Sequence, residues 1–565
     1  MPRTIALIPI DLTRSRLGTP SALLHRLGGL TVLERTLSRL TRVPQVEMIV
    51  LVHPAGQQPL NVLTASRIAK PVRSFAIPAS VPVDGFQPMR IAGRKWALHS
   101  WRGGLGSACV YDELLPAGPL VAAMQDCGAT SALLAGGDWP LVDPAICEQV
   151  LERHLAQPQA MKMVFTQAPP GLAGVAVARE MLEHVAEKQT GFGPVLAYVP
   201  TKPQADPIGL DVCVPIPAPV RSCALRFIYD TQRSRALIDA IAGAASLEDA
   251  DASQTVAVAS QELNADNGEH GRGGELPAQI TLELTPQRML RGQITPQHYV
   301  DFERPPMELD AARRLIAQIA ACDDAVLTLG GLGDALLHPN WRDVVTAAHE
   351  VGVAGIAIET DLLVDEAALS DLLSLPVDVV SVRVNADTAA VYEKVMGEGR
   401  FAEVVRNVQW LLVERGKRCA QAAQVADGRA GFPWIVPRLV KTSDTLGDME
   451  TFFDRWTHFA GHAVIDPSQT GRQGATQVMP QLSPVRMAPP KRFACRQLDR
   501  RLTILSDGRA ALCDQDWLGS HVLGDTAITP LSDIWQQARS IRALHQAGRW
   551  NELPQCAGCH EWHRP

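Results

Sequence analysis

Four cysteines near the end of the chain, Cys495, Cys513, Cys556 and Cys559, have the type and spacing for metal chemistry. Four thiolates satisfy one tetrahedral metal ion or one cubane iron–sulfur cluster. The last two form a CxxC in LPQCAGCHEWHRP, which brings both sulfurs to one centre from a single tight turn. The first two bracket a predicted hairpin. LTIL is an apolar, β-branched run, Ser506-Asp507-Gly508 is a turn signal, and Arg509 to Leu512 lead back to Cys513. The spacing therefore predicts two cysteines at the ends of a hairpin, met by a CxxC from a later loop. Zinc and a cluster both satisfy it.

The elements that position these cysteines belong to a chain of 565 residues, long enough for two or three domains. Hydrophobic residues make up 46%, enough for ordinary cores, and the net charge of -7 gives no electrostatic reason to bind nucleic acid. No apolar run approaches the length of a membrane span, and the start carries no signal-peptide core. Eleven cysteines, an odd number and mostly scattered, do not form a disulfide framework. A reducing cytoplasm suits them.

In the N-terminal third, RTIALIPI reads as a buried strand, TVLERTLSRLTR as an amphipathic helix and VEMIVLVH as a second strand. Strand, helix, strand predicts a parallel sheet with ligands at its C-terminal edge. Asp138 follows the apolar run SALLAGG, and Asp230 is expected after a strand LRFIY and before a helix. A carboxylate at a strand end suits a nucleotide-bound Mg²⁺; it also serves as an ordinary turn residue or helix cap. Residues 1–245 resemble the GT-A-like nucleotidyltransferases, whose first loop reads approximately AGGxSxRMGxPKxLL. Ser15 to Leu24 keep Arg16, Gly18 and Pro20, and Gly137-Asp138-Trp139-Pro140 matches the family's metal-binding stretch. The family lysine is Ser21 here, and the glycines before the loop are absent. The resemblance implies a Rossmann-like nucleotidyltransferase-type sheet. It also implies that Arg16, Asp138 and Asp230 hold a nucleotide or nucleotide sugar with Mg²⁺, as in nucleotide-sugar or surface-polysaccharide metabolism.

Residues 246–278 are rich in Ala, Ser, Asp, Asn and Gly and read as a linker, with VAVAS as a short strand. From 279 to 490, six strand candidates (ITLEL, VLTLGG, GIAIET, VVSVRV, WIVPRLV, AVIDP) alternate with helical patterns, predicting a (βα)6 partial barrel. This stretch resembles the radical S-adenosylmethionine (SAM) superfamily. LTLGGLGDALLHP follows its GGxGEPLLHP segment, IETDLL its ETNGTLL, and the stretch from Ser381 through Asp387 and Tyr392 to Phe401 its SxDadtxxxYexxrGxxxF pattern. The resemblance implies that Gly330, Gly331, Gly333 and Asp334 face SAM.

The superfamily's defining CxxxCxxC is missing. Its three positions are Arg288, Gly292 and Thr295, none of which can bind iron as a thiolate does. Conventional radical chemistry is therefore not expected. Arg288 is read as exposed, though a guanidinium also suits a carboxylate or phosphate.

Residues 491–565 resemble the SPASM/Twitch extensions of radical SAM enzymes through Cys495, Ile504, Asp507-Gly508, Cys513, Gly524, Ile534-Trp535 and Cys556-x-x-Cys559. That resemblance implies one auxiliary [4Fe-4S] cluster held by the four cysteines. His560 and His563 are expected near the site but not as ligands, and RSIRALHQAG as a solvated helix. The chain as a whole reads as an iron–sulfur scaffold or binding protein for a protein or peptide partner. A nucleotidyltransferase-like enzyme and an unorthodox SAM-dependent enzyme are the alternatives.

Overall fold

A computed structural model describes residues 3–563 apart from 65–66, 82–83, 200–201, 245, 247, 266–275, 423–431 and 486–487. The chain divides into two compact units, Met1–Gly271 with Cys419–Arg429, and Arg272–Arg418 with Ala430–Pro565. Among the described residues no helix is long and apolar enough to cross a membrane.

The first unit is built on seven strands: β1 (Thr4–Pro9), β2 (Met48–His53), β3 (Val72–Ala76), β4 (Ser131–Leu134), β5 (Met163–Thr166), β6 (Val175–Ala178) and β7 (Cys213–Val214). Their order is β3-β2-β1-β4-β6-β5-β7. The first four run parallel, and β6 lies antiparallel between β4 and β5, so the sheet is mixed rather than wholly parallel. The fully buried TIALIP of β1 fits a central strand covered on both faces. The helix Val32–Leu40 begins with a capping box in which Thr31 and Glu34 bond each other's backbone N–H.

Two expectations are corrected here. LRFIY forms no strand: Phe227 N–H bonds Pro170 O and Tyr229 N–H bonds Asp138 O, so the run is extended but held by loops rather than by a ladder. VAVAS is helical, inside Ala252–Ala265, not a strand in a linker. Its Ala252, Val256, Ala259 and Leu263 recur at helical spacing and are buried in the core of the first unit. Asp251 and Gln254 bond each other's N–H at its start, a capping box that can be read in the sequence. Of the rest of the expected linker, residues 247 and 266–275 lie outside the described residues.

The second unit holds the expected (βα)6 partial barrel. Its strands are β8 (Gln279–Leu282), β9 (Val326–Leu329), β10 (Gly355–Thr360), β11 (Val379–Arg383), β12 (Trp434–Lys441) and β13 (Val464–Pro467), all parallel and adjacent in chain order. Helices Leu309–Ile319, Trp341–Glu350, Glu366–Ser374, Phe401–Ala422 and Met449–Ala460 make the crossovers. The hairpin expected between Cys495 and Cys513 forms as β14 (Arg501–Ile504) and β15 (Arg509–Ala511), followed by β16 (Val522–Asp525). It is not a separate sheet. β14 pairs parallel with β8, so nine strands form one sheet running from the barrel into the cysteine-bearing segment.

Candidate functional site

Three places carry chemistry, and their electrostatics differ. In the first unit, Arg16, Asp138 and Asp230 are brought together. Thr19 Oγ1, in the first loop, donates to Asp230 O at 3.2 Å, and Tyr229 N–H donates to Asp138 O at 2.8 Å. Arg16 lies within the electrostatic reach of Asp138. Asp138 is half-buried, and burial together with the charge of Asp230 pushes it up to about 7. Asp230, however, is already engaged. Arg226 donates to both of its carboxylate oxygens and to both oxygens of Glu113, which also pairs with Arg94. Arg94, Glu113, Arg226 and Asp230 form a buried chain of alternating charge. The guanidinium of Arg226 already neutralises the Asp230 carboxylate, which weakens its pull on a divalent cation.

The barrel loop after β8 is likewise closed by the chain itself. Arg288 is not exposed. Its side chain is 6% accessible and forms a bidentate pair with the buried Asp361, Nε to Oδ2 at 3.0 Å and Nη2 to Oδ1. A Cβ on Gly292 would overlap the Val395 carbonyl and the Met396 backbone, so this position has no room for a cysteine. Thr295 is fully buried, with Oγ1 donating to Gly292 O at 2.7 Å. All three positions of the missing motif are thus filled, paired or packed.

The glycine loop fits the same pattern. Gly331 has φ +94°, and a Cβ on Gly333 would overlap the Thr285 carbonyl, so tight packing on the 285–287 loop is sufficient reason for glycine there. Gly330 N–H bonds Leu282 O. Asp334 is buried and accepts from Leu336 N–H at 3.0 Å, Thr360 Oγ1 at 3.0 Å and Asp361 N–H at 2.8 Å. Burial and the nearby Asp361 raise its pKa. Arg383, which carried no signal in the sequence, clamps the loop through Gly331 O at 3.0 Å, Gly333 O at 3.3 Å and Glu359 at 3.0 Å. Arg304 likewise joins Glu283 at the end of β8 to Trp517 O beyond the hairpin.

The four cysteines present a different environment. Cys495, Cys513, Cys556 and Cys559 line one cavity with Arg472, Arg492, Gln497 and His545. Among the described residues no group of three or more His, Cys, Asp or Glu side chains is drawn together as tightly as a single metal ion requires. Burial pushes Cys495 up to about 11, and burial with the charges of Cys559 and Cys495 pushes Cys556 up to about 12. Burial also raises Cys513 and Cys559. Thiols held this way need a cationic core among them to become thiolates.

Residues 495–560 match the family model described as an iron-sulfur cluster-binding domain, SPASM. The match spans all four cysteines. A relative from Treponema pallidum (strain Nichols), described as an uncharacterized protein, is 25% identical over 301 residues, 51% of this chain and 79% of its own length. Three solved structures show weaker likenesses. BtrN in complex with AdoMet and 2-DOIA is 16% identical over 50% of this chain and 93% of its own, with a TM-score of 0.32. A cytidylyltransferase from Leptospira borgpetersenii is 13% identical over 47% and 96%, with a TM-score of 0.31. Streptococcus suis SuiB bound to the precursor peptide SuiA is 11% identical over 52% and 72%, with a TM-score of 0.37. At these TM-scores none of the three bears on what this chain does.

The lining of the SPASM cavity fits an iron–sulfur cluster in its donor set and its unmet hydrogen bonds. Among the described residues, Arg472 Nε, Arg492 Nε, Gln497 Nε2 and His545 Nε2 are buried without a partner. Unpartnered buried donors are costly, and an anionic, sulfur-rich group supplies the acceptors they lack. His545, expected only as part of a solvated helix, is the residue that sequence reasoning missed. The helix Arg539–Gln546 is largely exposed, but His545 is 3% accessible and turns inward. His560 and His563 do not line the cavity; Glu561 and Trp562 do.

Proposed function

We propose that this protein holds one [4Fe-4S] cluster on Cys495, Cys513, Cys556 and Cys559 and does not cleave SAM, serving as a scaffold or binding protein in a reducing cytoplasm. The observation that carries the reading is the filled loop after β8. Arg288 is paired with Asp361, Gly292 is packed on the Met396 backbone, and Thr295 is buried. A cluster there would have to displace a buried ion pair and backbone in contact. The lining supports cluster over zinc, because four buried N–H donors share it with the sulfurs and the inorganic sulfides of a cluster offer them acceptors that a zinc ion does not.

When bound, the cluster supplies one-electron redox capacity or a structural cross-link. The chain's own residues do the rest: the cysteines bind, and Trp562 and Leu498 help exclude water. Four protein thiolates leave no iron open for SAM. The partner class is a protein or peptide docking on the second unit.

The test is incubation of the anaerobically purified protein with SAM and a strong reductant. Neither methionine nor 5'-deoxyadenosine is expected. Formation of both in a 1:1 ratio at turnover would favour the unorthodox SAM enzyme and a role for Gly330, Gly331, Gly333 and Asp334 in binding it.

A second reading concerns the first unit, where the raised Asp138 beside Asp230 and Arg16 favours a nucleotide or nucleotide-sugar site. With Asp230 held by Arg226, binding without transfer is the expected behaviour. Calorimetry with CTP, GTP and UDP-sugars in the presence of Mg²⁺ tests it; no heat with any of them makes the unit structural.

A further inference from the structure

We propose that His545, Gln497, Arg472 and Arg492 donate N–H hydrogen bonds to the sulfur atoms of the bound cluster and so raise its reduction potential. This rests on the cluster assignment above and goes beyond it by naming the groups that set the cluster's redox behaviour. His545 Nδ1 accepts the Cys495 N–H at 3.3 Å, which places the proton of a neutral ring on Nε2. That Nε2 is buried, has no partner, and belongs to a side chain lining the cavity. With its proton there, Nε2 can donate but cannot ligate iron.

The two arginines are fixed around the CxxC by its own carbonyls. Arg492 donates to Cys556 O at 2.9 Å and Ala557 O at 3.4 Å, and Arg472 donates to Gly558 O at 3.1 Å and Ala475 O at 2.7 Å. Each keeps Nε without a partner, and among the described residues neither pairs with a carboxylate. Gln497 adds an unpartnered Nε2 two residues after Cys495. Four donors, two of them cationic, thus line the cavity with the four sulfurs, from three segments of chain, against the single carboxylate of Glu561. Donors and positive charge stabilise the more negative, reduced cluster more than the oxidised one, which moves the potential up.

The experiment uses the full-length protein, reconstituted anaerobically, with iron and sulfide counted before a redox titration followed by electron paramagnetic resonance. At equal cluster content, His545→Leu and Gln497→Leu are each expected to lower the reduced-to-oxidised ratio at a fixed potential about tenfold, which is about 59 mV for a one-electron couple. Arg492→Lys, which keeps the charge and loses the Nε donor, is expected to lower it less than Arg492→Gln. Unchanged ratios in all four variants at full cluster content overturn the proposal and leave the cluster standing. Wild-type protein without sulfide overturns the cluster and the proposal together. The wild type is also tested without mutation, by deuterium exchange. Exchangeable deuterons coupled to the reduced cluster are expected, and their absence overturns the proposal even if every variant loses its cluster.

Discussion

The loop after β8 and the cysteine cavity belong to one unit and face the same requirement, that buried polar groups find partners. They meet it in opposite ways. In the loop, the chain supplies both halves: Arg288 meets Asp361, Asp334 meets three donors, and Gly292 and Gly333 are packed against backbone. In the cavity, the chain supplies one half only. Four thiols and four donor atoms without a partner among the described residues share one lining, with only backbone N–H groups reaching the sulfurs, as Glu561 N–H reaches Cys559 Sγ at 3.3 Å. A loop whose polar groups all pair within the chain is closed, whereas a cavity with unpartnered donors leaves bonds unmade. The first unit adds a case of the closed kind, with Arg226 across Asp230.

The comparison can be broken most forcefully at the open site. Replacing any of Cys495, Cys513, Cys556 or Cys559 by Ala is expected to remove most of the bound iron and to destabilise β14–β16, read as loss of iron per chain and a lowered melting temperature. Iron retained at wild-type level in all four variants would dissolve the assignment.

At the closed site, Arg288→Ala strands the buried Asp361 carboxylate, with an expected cost of about 3–5 kcal/mol in denaturant unfolding. The double replacement Arg288→Met with Asp361→Leu should recover most of that, because a buried pair replaced by apolar groups of similar size is often neutral. A small loss in the single variant would mean the pair is solvated and the loop open. Restoring the motif by Arg288→Cys, Gly292→Cys and Thr295→Cys together should add no iron, since a side chain at 292 meets the Val395 carbonyl.

The smallest effect is a pH dependence in the first unit. Asp138 is raised in the fold, to about 7, so folding favours its protonated form. Its contribution is fully present below the ordinary aspartate range near 4 and is lost as pH rises through about 7. Asp138→Asn should therefore flatten the decline of melting temperature between pH 5 and 8. A divalent cation that binds there should reverse the decline in the wild type. An unchanged slope in Asp138→Asn would place the titration elsewhere.

Much of this was legible in the residues. The barrel strands appeared where β-branched runs alternate with amphipathic helices, because that periodicity is what burial between layers demands. The hairpin was visible in LTIL and Ser506-Asp507-Gly508. Three things were not. LRFIY is apolar enough for a strand, but its N–H groups go to Pro170 and Asp138, partners far away in sequence. Arg288 reads as a surface residue until Asp361, 73 positions on, arrives beside it. His545 sits in a basic helix and turns inward, where it accepts the Cys495 N–H. Each was hidden by a long-range partner, and long-range pairing is what local pattern does not encode. The Asp251–Gln254 capping box was there to be read and would have moved the linker.

The central claim, one cluster at the open site and none at the closed one, is tested most directly by counting iron, acid-labile sulfide and zinc per chain in the wild-type protein purified without oxygen. About four irons and four sulfides, with no zinc, are expected. About eight of each would contradict the closed loop, and stoichiometric zinc without sulfide would contradict the cluster itself.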